Sequence, residues 1–235
     1  MNPLLTNSKH SFEAIDFDKI KVEHFLPALN ESIKDAKNKL EKIKQEKNIS
    51  FDSIIVQEEC SADQLDQIVD VFYALYSAHC SEELTQITEE FNETLTNYSS
   101  DISLDKDLFE KIKSVYDQKE SLNLSKEQLM VLEKSYKGYT RNGALLNEDD
   151  KDKLRKIDQT LSKLSHNFSE NIRNATNDFL LIIKDESRLS GLPDGAKEAA
   201  KEKAIEKEYS EGWAFTLDFP SYYPILQYCA DRELR

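Results

Sequence analysis

From Leu154 to Phe179, apolar side chains return every three or four positions, at Leu154, Ile157, Leu161, Leu164, Phe168, Ile172, Ala175 and Phe179. A helix turns once in about 3.6 residues, so this spacing gathers the apolar groups on one face, whereas a strand would alternate them. Asn147, followed by Glu148, Asp149 and Asp150, supplies a capping side chain and places acids at the positive end of the helix dipole. At ~1.5 Å per residue the predicted element reaches roughly 45 Å, long enough to serve as a scaffold spine.

The same period recurs upstream. Phe25, Leu29, Ile33, Ala36, Leu40 and Ile43 define a first long helix. Pro27 is tolerated if that helix begins near Val22, because a first-turn proline forfeits no intrahelical donor. Residues 51–60 read as helix, and Leu65, Ile68, Val69, Phe72, Leu75 and Tyr76 continue the pattern, as one element or two. Ser81 caps a restart whose seam is Leu84, Ile87, Phe91, Leu95, Tyr98 and Ile102, and Asp105 caps a shorter helix through Tyr116. Ser125 with Gln128 forms a capping box, Leu124 and Leu129 occupy staple positions, and Gly143 marks a stop just beyond Arg141. Only 5 Gly and 5 Pro interrupt the chain, and no fixed-period repeat of a solenoid is present.

Two segments break the helical pattern. Residues 179–184 and 213–217 read as strands that pair, joined by the Gly191-Leu-Pro-Asp-Gly195 turn and a helix over 196–209. After Pro220 a last helix over 222–235 is expected to run to Arg235 without a stop signal. The fold expected is mainly α: an antiparallel helical bundle with long helices and one small β-hairpin-like strand pair near the C-terminal end. It is expected to form a single helical lobe over 1–235. Residues 1–177 are helical and 178–218 form strand-helix-strand. Residues 219–235 are expected to begin a further helix.

A formal charge of -14 argues against a nucleic-acid partner, because phosphate binding rests on clustered cations. The lysines from Lys34 to Lys47 are interspersed with Glu and Asp, as on a solvated helix face. The longest strongly apolar run, residues 179–183, is too short to span a bilayer, so no membrane partner is expected and the chain reads as cytoplasmic. Cys60, Cys80 and Cys229 are odd in number and widely spaced, which disfavours a disulfide framework. Seven Asn-x-Ser/Thr sites, without a signal peptide, read as chance matches.

Chemistry-bearing clusters are sparse. His79-Cys80 is the one close His/Cys pair, and adjacent helical residues point in different directions. No Gly-x-Ser-x-Gly elbow or phosphate-binding glycine loop occurs. The aromatic group Trp213, Phe215, Phe219, Tyr222, Tyr223 and Tyr228 has two readings: a packed corner between hairpin and terminal helix, or a docking face for a further region.

Several short motifs occur in a fixed order. They are Phe17-Asp-Lys-Ile-Lys-Val-Glu-His-Phe-Leu-Pro-Ala28, Ser77-Ala-His79 with Glu83-Leu84, Asp107-Leu-Phe109, Glu120-Ser-Leu122 and Gly143-Ala-Leu-Leu146. Then come Gly191-Leu-Pro193, Trp213, Pro220-Ser221, Pro224 and Arg232-Glu-Leu-Arg235. Together they resemble the N-terminal region of the thimet oligopeptidase, oligopeptidase A and peptidyl-dipeptidase Dcp family of zinc metallopeptidases, with wording closest to the peptidyl-dipeptidase branch. In that family two histidines of an His-Glu-x-x-His helix and a later glutamate hold zinc, while the first glutamate activates water. His10, His24, His79 and His166 lie far apart and none begins such a run. No catalytic, cofactor-binding or metal-binding residue is therefore assigned to this chain.

The resemblance implies a non-catalytic lobe of a zinc-dependent oligopeptidase that releases C-terminal dipeptides. Zinc would sit in the full-length parent only, and the lobe would form part of a narrow substrate-channel wall. As the N-terminal lobe, its helix over 219–235 would lead into the missing C-terminal catalytic region, which would be its partner together with, in the full-length protein, oligopeptides. The alternative is a free-standing helical protein-interaction module without enzymatic activity.

Overall fold

The computed structural model describes residues 2–6, 10, 14–79 and 81–235. They form a mainly helical protein with one two-stranded antiparallel sheet near the C-terminal end. The chain divides into two compact units, Met1–Leu164 and Ser165–Arg235.

In the first unit, α1 (Phe25–Gln45) is preceded by a 3-10 turn, Val22–His24, so the α-helical ladder starts slightly later than the spacing suggests. Residues 51–78 are helical throughout but not uniform. A π-helical turn, Phe51–Val56, passes into the one-turn α2 (Gln57–Glu59), a 3-10 turn, Cys60–Ala62, and then α3 (Asp63–Ala78). Next come α4 (Glu82–Ser103), α5 (Lys106–Tyr116) and α6 (Lys126–Arg141). Their starts are set by local side chains. Ser81 Oγ accepts from the Leu84 amide at 3.1 Å and Asp105 Oδ1 from the Leu108 amide at 2.9 Å. Ser125 and Gln128 exchange both bonds of a capping box. Gly143, at φ +98°, follows α6 in the left-handed region expected of a helix stop.

Helix α1 packs on α3, α4 and α5 and contributes to two cores. Its first half joins Leu65, Ile68, Phe72, Leu84 and Phe91, where the Phe72 and Phe91 rings stack with centroids 3.8 Å apart. Its second half, through Leu40 and Ile43, joins Ile54, Leu108, Ile112 and Leu132. Burial of these seams is the main stabilising term, at roughly 25 cal/mol per Å² of apolar surface removed from water.

The long helix α7 (Glu148–Asp178) forms as its spacing predicts, opened by Asn147, whose Oδ1 accepts from the Asp150 amide at 3.0 Å. The unit boundary falls within it.

The second unit is built on β1 (Leu181–Ile183) paired with β2 (Trp213–Phe215), in the register Leu181↔Phe215, Ile182↔Ala214 and Ile183↔Trp213. Both strands are shorter than the predicted 179–184 and 213–217. The intervening helix α8 (Asp194–Glu206) packs on β2 and α9 (Phe219–Tyr228), enclosing Ile183, Leu189, Phe215 and Ile225. One expectation is corrected: the last helix does not run to Arg235 but ends at Tyr228, where Cys229 turns extended. The Ala230 amide leaves the helical ladder to donate to the Ser190 carbonyl at 2.7 Å, and Arg188 binds Asp231 at 2.7 Å. These tertiary bonds replace the helical ones that a further turn would have made.

Candidate functional site

The histidines are held in separate local contacts. His10 lies 3.3 Å from Asp16, and His24 Nδ1 accepts from the Lys21 amide at 3.0 Å. His79 ends α3, and His166 sits on α7 with Glu170 at 3.7 Å. No group of three His, Cys, Asp or Glu side chains converges as a metal site would require among the described residues. Cys60 is exposed and Cys229 is buried, its thiol donating to the Arg188 carbonyl at 3.2 Å. Cys80, and with it the His79-Cys80 pair, lies outside the described residues. Among the described residues no helix is long and apolar enough to cross a membrane.

Two cavities in the first unit gather chemistry that the linear sequence separates. One, of about 700 Å³, is lined by Phe17 and Val22 from the first motif and by His79, Glu83 and Leu84 from the second. The other, of about 450 Å³, opens between α2, α3, α4 and α6. At its wall the Tyr139 hydroxyl donates to Glu58 Oε1 at 2.8 Å. Burial is the main influence pushing the Glu58 carboxyl up, with Glu59 adding to it and the Tyr139 bond opposing. Burial likewise pushes the Tyr98 phenol up to about 12. The Asp66 carboxyl is raised by burial and by Asp70 and Asp63. Ser135 Oγ, also at this cavity, is buried with no hydrogen-bond partner among the described residues. None of these residues carries a sequence signal. Glu58 and Tyr139 stand 81 positions apart.

The orientation of α7 differs from a packed spine. Within the first unit its polar side chains face α4. Arg155 binds Asp101 at 2.6 Å, Gln159 binds Asn97 at 2.9 Å, Ser162 meets Thr96 at 2.9 Å and Lys163 binds Glu89 at 2.9 Å. The apolar seam is left outward, with Ile157, Leu161 and Leu164 all more than half exposed. In the second unit its continuation exposes Ile172 and Phe168, the latter at 66%.

The aromatic group divides. Phe215 is buried and Trp213 packs against the same core, which is the packed-corner reading. Phe219, Tyr223 and Tyr228 are exposed, with the Phe219 and Tyr223 rings stacked at 4.6 Å.

No family model matches the chain. Curated relatives do match, over its full length or nearly so. Dipeptidyl carboxypeptidase of Escherichia coli strain K12 is 28% identical over 100% of this chain and 35% of its own length. The dipeptidyl carboxypeptidase of Salmonella typhimurium is 30% identical with the same coverage. Oligopeptidase A of Haemophilus influenzae is 30% identical over 93% of this chain and 32% of its own length. The chain thus spans about a third of these relatives, their N-terminal part. The similarity is to the peptidase family that the ordered motifs resemble.

Proposed function

We propose, from whole-chain similarity to the N-terminal third of dipeptidyl carboxypeptidases and oligopeptidases A, that this chain is the non-catalytic helical lobe of a zinc-dependent oligopeptidase. The parent reaction is the release of C-terminal dipeptides from oligopeptides. The catalytic region packs against this lobe, and together they wall a channel for short peptides. In this reading the metal is held by the catalytic region, and no hydrolytic step is assigned to side chains of this chain.

Whole-chain similarity carries this reading, and the outward apolar seam of α7 supports a packing surface on the lobe. A solvated helix hides its apolar stripe, and a contiguous exposed one marks an interaction surface. The seam fits a lobe that packs against a further region, whereas a polar, self-contained surface would have favoured the free-standing interaction module. The exposed aromatics Phe219, Tyr223 and Tyr228 on or beside α9 are a second candidate contact for the catalytic region or wall of the channel.

Two measurements test the proposal. The purified chain, assayed on blocked oligopeptides with and without added zinc, is expected to release no dipeptide, and chelator-sensitive cleavage would overturn the non-catalytic reading. The coding region past the Arg235 codon is expected to continue in frame through an His-Glu-x-x-His motif. A stop codon there, with a native mass near 27.2 kDa, would overturn the lobe reading in favour of the interaction module.

A further inference from the structure

We infer that residues 148–164 of α7 form an arm that is latched to α4 by polar side chains and comes off the first unit as ionic strength rises. The inference rests on the first unit alone and holds whether or not the peptidase reading does.

Every other long helix of that unit is fixed by apolar burial: α1, α3, α4, α5 and α6 each place side chains in its two cores. No described side chain of this part of α7 enters either core. At the base of the arm Leu154 lies against Gly143, where a Cβ on the glycine would stand 2.7 Å from a leucine methyl. Beyond that point α7 meets α4 through polar pairs. Asp158 accepts from Ser100 Oγ at 3.4 Å, alongside the bonds of Arg155, Gln159, Ser162 and Lys163 already described.

The latch has a fixed side and a free side. Lys37 of α1 holds Asp101 Oδ2 at 2.8 Å, so the carboxylate that receives Arg155 through Oδ1 is itself held in place by the core helices. Asp101 and Arg155 keep 44% and 35% of their side-chain surface, and Lys163 and Glu89 are both more than half exposed. Ion pairs so wetted hold weakly and are screened as salt is added, whereas apolar burial does not weaken in the same way. A helix held without buried apolar contacts lies at the low end of local stability. The same helix carries Ile157, Leu161 and Leu164 outward, so release of the arm moves that seam relative to the two cores.

The test is hydrogen–deuterium exchange by mass spectrometry on the full chain, in about 0.05 M and about 1 M sodium chloride. Amides of residues 154–164 are compared with those of 108–115 in α5, whose apolar face is buried. Salt is expected to speed exchange over 154–164 by about fivefold or more relative to α5. Arg155→Gln leaves the Lys37–Asp101 pair in place and should speed the same segment about threefold in the dilute buffer, with a smaller further response to salt. Lys163→Glu sets two carboxylates facing each other across the helices and should act likewise, and adding Glu89→Lys on α4 should restore the slow exchange of the parent chain. That rescue separates release from α4 from fraying of α7 in place. The inference is overturned if salt speeds both segments equally or neither, if Arg155→Gln exchanges like the parent chain in both buffers, or if Glu89→Lys does not rescue Lys163→Glu.

Discussion

Gly191 lies so close to Tyr228 that a Cβ added to the glycine would stand 2.3 Å from the Tyr228 carbonyl oxygen. The glycine also holds φ at +88°, in the left-handed region where side chains are strained. This contact joins the Gly191-Leu-Pro193 turn to the end of α9, beside the Ala230 amide bond to Ser190 that replaces the next helical turn. Gly191→Ala must therefore move the main chain of Tyr228 or of the turn. We expect a loss of roughly 2–3 kcal/mol confined to the second unit. Fluorescence of Trp213, the chain's one tryptophan, reports that unit in urea unfolding, and an unchanged midpoint would contradict the strain argument.

Ser125→Ala removes an acceptor for the Gln128 amide, one side of the reciprocal cap on α6. The expected cost is about 1 kcal/mol, because the freed amide finds water less well than it found the hydroxyl. Ser125→Asp should retain most of the stability. Urea unfolding followed by circular dichroism distinguishes the two; equal losses would mean that α6 is held by packing alone.

Glu58 should impose a pH dependence opposite to that of an ordinary paired carboxylate. Its folded carboxyl is raised, chiefly by burial, so the folded state holds its proton more tightly than the unfolded state. The resulting stabilisation is full below the ordinary Glu range near 4.5 and is lost as pH rises through the raised value. Glu58→Gln is neutral throughout and removes this term. Relative to the variant, the parent chain should be less stable at pH 7 than at pH 4. Parallel stability curves for the two proteins would refute the assignment.

The outward seam of α7 predicts an unusual tolerance. Leu161→Glu and Phe168→Glu place charge where the parent side chains are 56% and 66% exposed, and each should change stability by no more than about 0.5 kcal/mol. Phe91→Ala, by contrast, empties a fully buried ring site stacked on Phe72 and should cost about 3–5 kcal/mol. If Leu161→Glu were as damaging as Phe91→Ala, the seam would be covered within the chain and its role as an interface would fail.

What the sequence determined by itself is the local grammar. Apolar spacing identified the long helices, and Ser81, Asp105, Ser125 and Asn147 marked starts that the structure realises with side-chain caps. Gly143 marked a stop, and residues 213–217 read as a strand whose Trp213–Phe215 part pairs with residues 181–183. These features rest on groups within one or two helical turns of each other, so the information is contiguous. Tertiary structure alone decided the rest. Periodicity says that Ile157, Leu161 and Leu164 share a face, but only the polar contacts of Arg155, Gln159 and Ser162 with α4 turn that face outward. Nothing near Tyr228 announces that α9 ends there, because the contacts that end it come from Arg188, Ser190 and Gly191. Glu58, Ser135 and Tyr139 become one cavity wall only when α2 and α6 meet. A single chain records which residues can share a helix face; what covers that face depends on packing among distant segments.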